Sequence, residues 1–172
     1  MHLQFLTPTQ AKLIDVNPRS ERRGAHELVP AVDIRLQVDT TPQTLLLLDP
    51  ELCEFLFKES PQIALPDMEP NPYSSQLRFP ELVQPLHWGG EGKGYSLMFN
   101  WGICEGGDIQ LHECKLSKLT LTVKEGGTVQ LTFTVSSCEG VNRQQVGELG
   151  TRVQHAIFFT LVCAGAEVAA AS

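Results

Sequence analysis

The sequence predicts an α+β protein, mainly antiparallel β, built as a β-sandwich or partly open barrel with two short helices. Three observations predict it. Apolar residues recur at every second position in several separate segments, a glycine-bearing turn joins two of these at hairpin spacing, and only two segments combine helical spacing with a helix start. A chain of 172 residues matches one domain and can bury a core without disulfide or metal staples.

The elements follow in chain order. Val32, Ile34, Leu36 and Val38 alternate with Asp33, Arg35, Gln37 and Asp39, which defines a half-buried strand. A shorter strand at Lys12–Val16 is expected to pair with it, across a polar loop NPRSERRGAHE. Asp49-Pro50-Glu51 is a helix start, since Asp caps, Pro is preset for the first turn and Glu favours the dipole. Leu52, Phe55 and Leu56 share one face of that helix, and Ser60-Pro61 should end it. Residues 61–86 hold six prolines, each lacking an amide donor and restricting its predecessor. An irregular surface excursion anchored by Leu77, Phe79 and Leu82 is expected there.

Tyr95, Leu97, Phe99 and Trp101 form a further alternating set, and Ile109 with Leu111 marks a short strand. The clearest signal lies near 116–136. Leu119, Leu121 and Val123 alternate with Thr120, Thr122 and Lys124, and Val129, Leu131, Phe133 and Val135 alternate with Gln130, Thr132 and Thr134. Pairing Lys124 with Thr128 leaves Glu125-Gly126-Gly127 as a three-residue loop, with Val123 opposite Val129 and Leu121 opposite Leu131. A second helix begins near Asn142 and carries Val146, Leu149 and Val153 on one face. Gly150 shares that face, and a close backbone approach to the sheet is expected to explain it. The segment 155–163 is apolar on both faces, as in a central or doubly covered strand. The expected domain spans residues 1–163, with a flexible tail at 164–172. The halves echo each other coarsely as hairpin, helix and strand, without repeating residues.

Charge narrows the function classes. Thirteen Lys and Arg against twenty Asp and Glu give −7, which argues against a broad nucleic-acid surface, because phosphate binding needs clustered cations. The five cysteines are odd in number, widely spaced and free of CxxC pairs, the pattern of reduced thiols in a cytoplasm. MHLQFLTPTQ carries neither a basic nor a long apolar leader region, and the longest apolar stretch is shorter than a membrane span.

Few residues suggest chemistry. Gly89–Gly94 (GGEGKG) fails as a P-loop, because Gly94 and Tyr95 follow Lys93 where Ser or Thr and a helix are required. A hairpin turn with cross-strand aromatics is one reading. The other is a ligand-stacking loop in which Trp88 and Tyr95 sandwich a base while Lys93 meets a phosphate. Arg19, Arg22 and Arg23 form the compact basic cluster, suited to an acidic partner surface or phosphates, or else a solvated loop partly neutralised by Glu21 and Glu27. Cys104, His112 and Cys114 match no common zinc spacing, so neither a metal nor any other cofactor is expected. No GxSxG elbow or HExxH appears, and no catalytic residue is assigned. The threonine stripe (Thr120, Thr122, Thr132, Thr134) reads as a solvent-facing sheet surface or a binding face.

NPRSERRG, VPAVDIRLQV, LRFPEL, GYSLMFNWG and KEGGTVQLTFTV together resemble a group of proteins encoded by phages and prophages of Gram-negative bacteria. The resemblance runs through most of residues 10–163, and the group has no established catalytic residues to carry over. It implies an intracellular protein of an infected or lysogenic cell. The expected role is therefore non-enzymatic binding in the host cytoplasm to a protein partner, such as a host defence or nucleic-acid-processing complex. No membrane partner is expected, and a homodimer is allowed. Inhibition of a host nucleic-acid-directed defence system is the most concrete version, with DNA-metabolism accessory work beside it. A virion tail or head-completion subunit and a nucleotide-signal sequestering protein are the alternatives.

Overall fold

A computed structural model describes residues 1–59, 73–100 and 108–163. Among these described residues nine strands run in chain order: β1 Phe5–Arg23, β2 Glu27–Thr40, β3 Phe57–Glu59, β4 Tyr73–Leu77, β5 Leu86–Trp88, β6 Gly92–Asn100, β7 Ile109–Lys124, β8 Thr128–Ser137 and β9 Ala156–Val162. Two α-helices, α1 Leu52–Leu56 and α2 Arg143–Thr151, and a 3-10 turn at Pro42–Leu47 complete them. The expected mainly antiparallel α+β class is the observed one.

Six strands close into a ring. Its order is β7-β6-β9-β1-β2-β8, and β8 returns to pair with β7. Every neighbouring pair is antiparallel, which an even-numbered ring permits. Between a sandwich and a partly open barrel, the chain thus takes a barrel, and closes it. Closure leaves the ring itself without an edge strand. β5 pairs with β7 outside the ring through Leu86↔Leu121 and Trp88↔Leu119. Beyond it, the side-chain amide of Gln84 donates to Val123 O at 2.9 Å and accepts from Val123 N. That amide covers the next stretch of the β7 edge as a strand residue would.

The interior is filled. Phe5, Phe133 and Phe159 meet at its centre, with Phe5 edge-on to Phe159 at 5.2 Å and near-parallel to Phe133 at 6.3 Å between centroids. Such offset and edge contacts are the favoured aromatic arrangements. Val32, Ile34, Leu36 and Val38 face inward as their alternation predicts, as do Val129, Leu131, Phe133 and Val135. Lys124↔Thr128, Val123↔Val129 and Leu121↔Leu131 pair in the predicted register.

Three predicted boundaries change. The strand expected at Lys12–Val16 and the polar loop after it are one strand and part of a second. β1 continues to Arg23 and β2 begins at Glu27, with Arg23↔Glu27 closing a turn of Gly24, Ala25 and His26. β9 pairs β1 only as far as Lys12, and β8 pairs β2 only from Val32. The outer pairs therefore form a two-stranded arm beyond the barrel. With no core beneath its tip, the arm carries polar residues on both faces, which is why it reads as loop.

The first helix is shorter than expected. Asp49 Oδ1 accepts from Glu51 N at 2.8 Å, but α1 ends at Leu56 and runs directly into β3 at Phe57 rather than to Ser60. The short strand at Ile109 and Leu111 is instead the beginning of β7. Glu113 and Lys118 there have φ of 49° and 53°, and the ladders shift register around both. Each bulge exchanges inward for outward parity, so the buried set runs Ile109, Leu111, then Cys114, Leu116, then Leu119, Leu121, Val123.

In the excursion, Leu77 is buried in β4 opposite Phe57, and Leu82 packs on the core. Phe79 anchors differently, its ring lying 5.2 Å from Phe55 where both stay about half exposed. The expectations for Pro61, Pro66, Pro70, Pro72, Trp101, Cys104 and the 164–172 tail lie outside the described residues.

Candidate functional site: the cleft between the arm and helix α2

α2 lies where the topology requires a crossing. Two strands separate β8 from β9 in either direction round the ring, and the chain crosses on the side of β1 and β2, where α2 packs against β1. Asn142 starts the helix as predicted, its Oδ1 accepting from Gln144 N at 2.9 Å. Leu149 is buried, and Val146 and Val153 pack on the core. Gln154 and His155 then tie the crossing to the strand, with Gln154 N donating to Leu13 O at 2.7 Å and Leu13 N donating to His155 O at 3.0 Å.

A cleft of about 560 Å3 opens between α2 and the base of the arm, a volume within the range of ligand pockets. Val16, Pro18, Ser20 and Pro30 supply the arm's wall, and Val146, Gly147 and Gly150 face them from α2. A Cβ built on Gly147 or Gly150 meets nothing within 4 Å. The expectation that Gly150 permits a close approach to the sheet is therefore wrong; this glycine faces open space. A helix glycine costs about 1 kcal/mol relative to alanine, so α2 carries two such costs that no neighbouring atom demands.

Charge in the cleft runs against the protein's overall −7. Arg19 and Arg143 belong to its lining, and no Asp or Glu does. Arg143 is exposed in the first turn of α2, where no acidic side chain offsets it, and among the described residues it makes no salt bridge.

The three arginines of the predicted cluster separate. Arg19 Nε donates to Asp33 Oδ1 at 3.0 Å and Arg19 Nη1 to Glu21 Oε2 at 3.1 Å. The Asp33 hydrogen bond chiefly raises the Arg19 pKa, desolvation works against it, and Glu21 adds to it. Arg23 pairs with Glu139 and lies 3.6 Å from Cys138 Sγ. Strand alternation places Asn17, Arg19, Glu21 and Arg23 on one face, and Pro18, Ser20 and Arg22 on the other. Of the three, Arg19 lines the cleft, while Arg22 lies beyond its end on the same strand face as the lining residues Pro18 and Ser20. The ladder partner of Arg22, Leu28, lies there too, 67 % exposed.

The Gly89–Gly94 segment is not a hairpin turn. β5 and β6 both run antiparallel to β7 along the same edge, with Trp88 opposite Leu119, Gly92 opposite Leu116 and Tyr95 opposite Cys114. The glycines interrupt one collinear path. A Cβ on Gly90 would stand 2.7 Å from Trp88 Nε1, and one on Gly92 would overlap the Tyr95 ring, so both glycines make room for rings folded onto their own backbone. Tyr95 is 1 % exposed, its hydroxyl donates to Met1 O at 3.2 Å, and burial first, then Cys163, pushes its pKa up to about 12. Trp88 is half-buried and Lys93 exposed. The two rings therefore do not form a pair of open stacking faces.

Elsewhere, Cys114 is buried while His112 is exposed, and the bulge at Glu113 stands between them. Among the described residues no three His, Cys, Asp or Glu side chains gather as metal ligands, and no helix is long and apolar enough to cross a membrane. The threonine stripe is half-buried rather than open, with Thr134 buried and Thr132 Oγ1 accepting from Gln37 Nε2 at 3.4 Å. Comparison with protein-family models, curated proteins and solved structures gives no match.

Sequence reasoning missed Arg143, Gly147 and Leu28. The signal available was the pair Gly147 and Gly150 three residues apart on a helix, adjacent on one face.

Proposed function

We propose that this chain is a non-catalytic binding protein that uses the β1–β2 arm and the cleft beneath it to engage a macromolecular partner. The cleft carries the reading, being apolar, cationic and kept open by glycines that the fold does not require. The partner class follows the resemblance to phage and prophage proteins: a host nucleic-acid-directed defence complex, or a DNA-metabolism complex, in the cytoplasm of an infected cell. Occlusion of the partner's surface is the mechanism.

Two features favour this role over the alternatives. Barrel closure and the prolines of the arm count against edge-to-edge assembly of a virion subunit. Burial of Tyr95 counts against a nucleotide stacked at Gly89–Gly94. A non-catalytic role also agrees with the thiols. Burial pushes Cys53 and Cys114 up to about 11, the reverse of what a cysteine nucleophile needs.

The test is affinity capture from infected or lysogenic cells with the wild-type chain and with a R22D/L28D arm variant. The proposal expects a defence or nucleic-acid-processing complex with the wild type and its loss with the variant. Recovery of no such complex, or equal recovery with both chains, would overturn it.

A further inference from the structure

Resting on that reading, we infer that the cleft takes an acidic, apolar peptide segment of the partner, seated against the backbone of α2. Three observations specify this occupant. The walls are apolar, through Val16, Pro18, Pro30 and Val146, and so accept an aliphatic or aromatic side chain. The lining contains arginine and no carboxylate, in a chain where acids outnumber bases. Of the two lining arginines, Arg19 is already held by Asp33 and Glu21, whereas Arg143 makes no salt bridge among the described residues.

Arg143 is therefore the anchor for the segment's carboxylate, which it meets as a planar fork. Its position in the first turn of α2 adds the partial positive charge of the helix start to its own. Arg22 and the exposed Leu28 continue the same combination of cation and apolar contact outward along the arm's face, so a segment several residues long is engaged rather than a single side chain. Gly147 and Gly150 explain the depth of seating. A methyl group at either position meets only empty cleft, so alanine there leaves the fold intact and takes space from the occupant.

The opposed signs of those two effects give the test. An mRNA-displayed library of random peptides is selected against the whole protein, with counter-selection against R143Q. The inference expects enrichment of Asp or Glu beside Leu, Ile, Met or Phe. A synthetic copy of an enriched peptide should bind the wild type and lose about tenfold or more in affinity, equivalent to about 1.4 kcal/mol, to R143Q and to G147A/G150A. The glycine variant, relieved of about 2 kcal/mol, should at the same time melt about 4–8 °C higher than the wild type. A library that yields no binder, enriched peptides without acidic residues, or affinities unchanged in either variant would overturn the inference. Partner capture through the arm alongside a failed peptide selection removes the peptide occupant and leaves the binding role. Absence of any captured complex removes the role itself.

Discussion

Pro18 and Pro30 occupy neighbouring positions of the same parity in the β1–β2 ladder, in the pairs Pro18↔Val32 and Ser20↔Pro30. An antiparallel ladder alternates pairs that exchange hydrogen bonds with pairs that do not. Proline has no amide to donate, so both belong to pairs whose polar groups point outward. Each free edge of the arm therefore lacks a donor where another strand would seek one. The arm extends beyond the barrel without inviting a second copy to pair with it.

This predicts a monomer. Light scattering coupled to size exclusion should give the mass of one chain for the wild type, and a mass rising with concentration for P18T/P30T. A polymeric wild type, or a double variant that stays monomeric at all concentrations, would contradict the edge argument.

The bulges of β7 predict opposite effects of two substitutions at one site. Lys118 has φ of 53°, a left-handed conformation costing about 1–2 kcal/mol for a side chain with a Cβ. Lys118→Gly should raise stability by about 0.5–1 kcal/mol, and Lys118→Val should lower it by about 1–2 kcal/mol. Urea denaturation measures both. Equal stability of the two variants would show that the bulge is not imposed by the fold.

These bulges also explain how much of the fold was legible. Periodicity identified the Leu119–Val135 hairpin to the residue, because a turn and two unbroken alternations agreed. It split β7, because Glu113 and Lys118 each reverse the parity on which the pattern depends, and nothing in the chemistry of Glu or Lys announces a left-handed residue. The arm read as loop for a different reason, having no core to impose alternation at its tip. The cleft was less legible still. Its walls lie more than 100 residues apart in sequence, and Gly150 was noticed but explained by an approach that does not occur.

The packed interior predicts a steep cost for truncation at its centre. Phe133→Ala removes a ring in contact with Phe5 and Phe159 and should cost about 3–5 kcal/mol. Leu28→Ala, on the exposed arm, should change stability by less than about 0.5 kcal/mol. Comparable costs would mean that the barrel is not filled as described.

The thiols predict a direction with pH. Cys53 and Cys114 are pushed up to about 11 chiefly by burial, from an ordinary value of 9.0. Above pH 9 the unfolded chain loses these protons while the folded chain retains them. Stability should therefore be constant on their account below pH 9 and fall between pH 9 and 11. Peptide-resolved alkylation at pH 8 should label Cys53 and Cys114 far more slowly than the half-buried Cys138. Rapid labelling of either buried thiol would contradict their place in the core.

The most direct measurement is site-specific photocrosslinking in infected cells, with the crosslinker at Leu28 on the arm or at Thr122 on the barrel wall. A macromolecular partner caught from position 28 and not from position 122 is the predicted result. Capture from position 122 alone, or from neither site, would show that recognition does not run through the arm and its cleft.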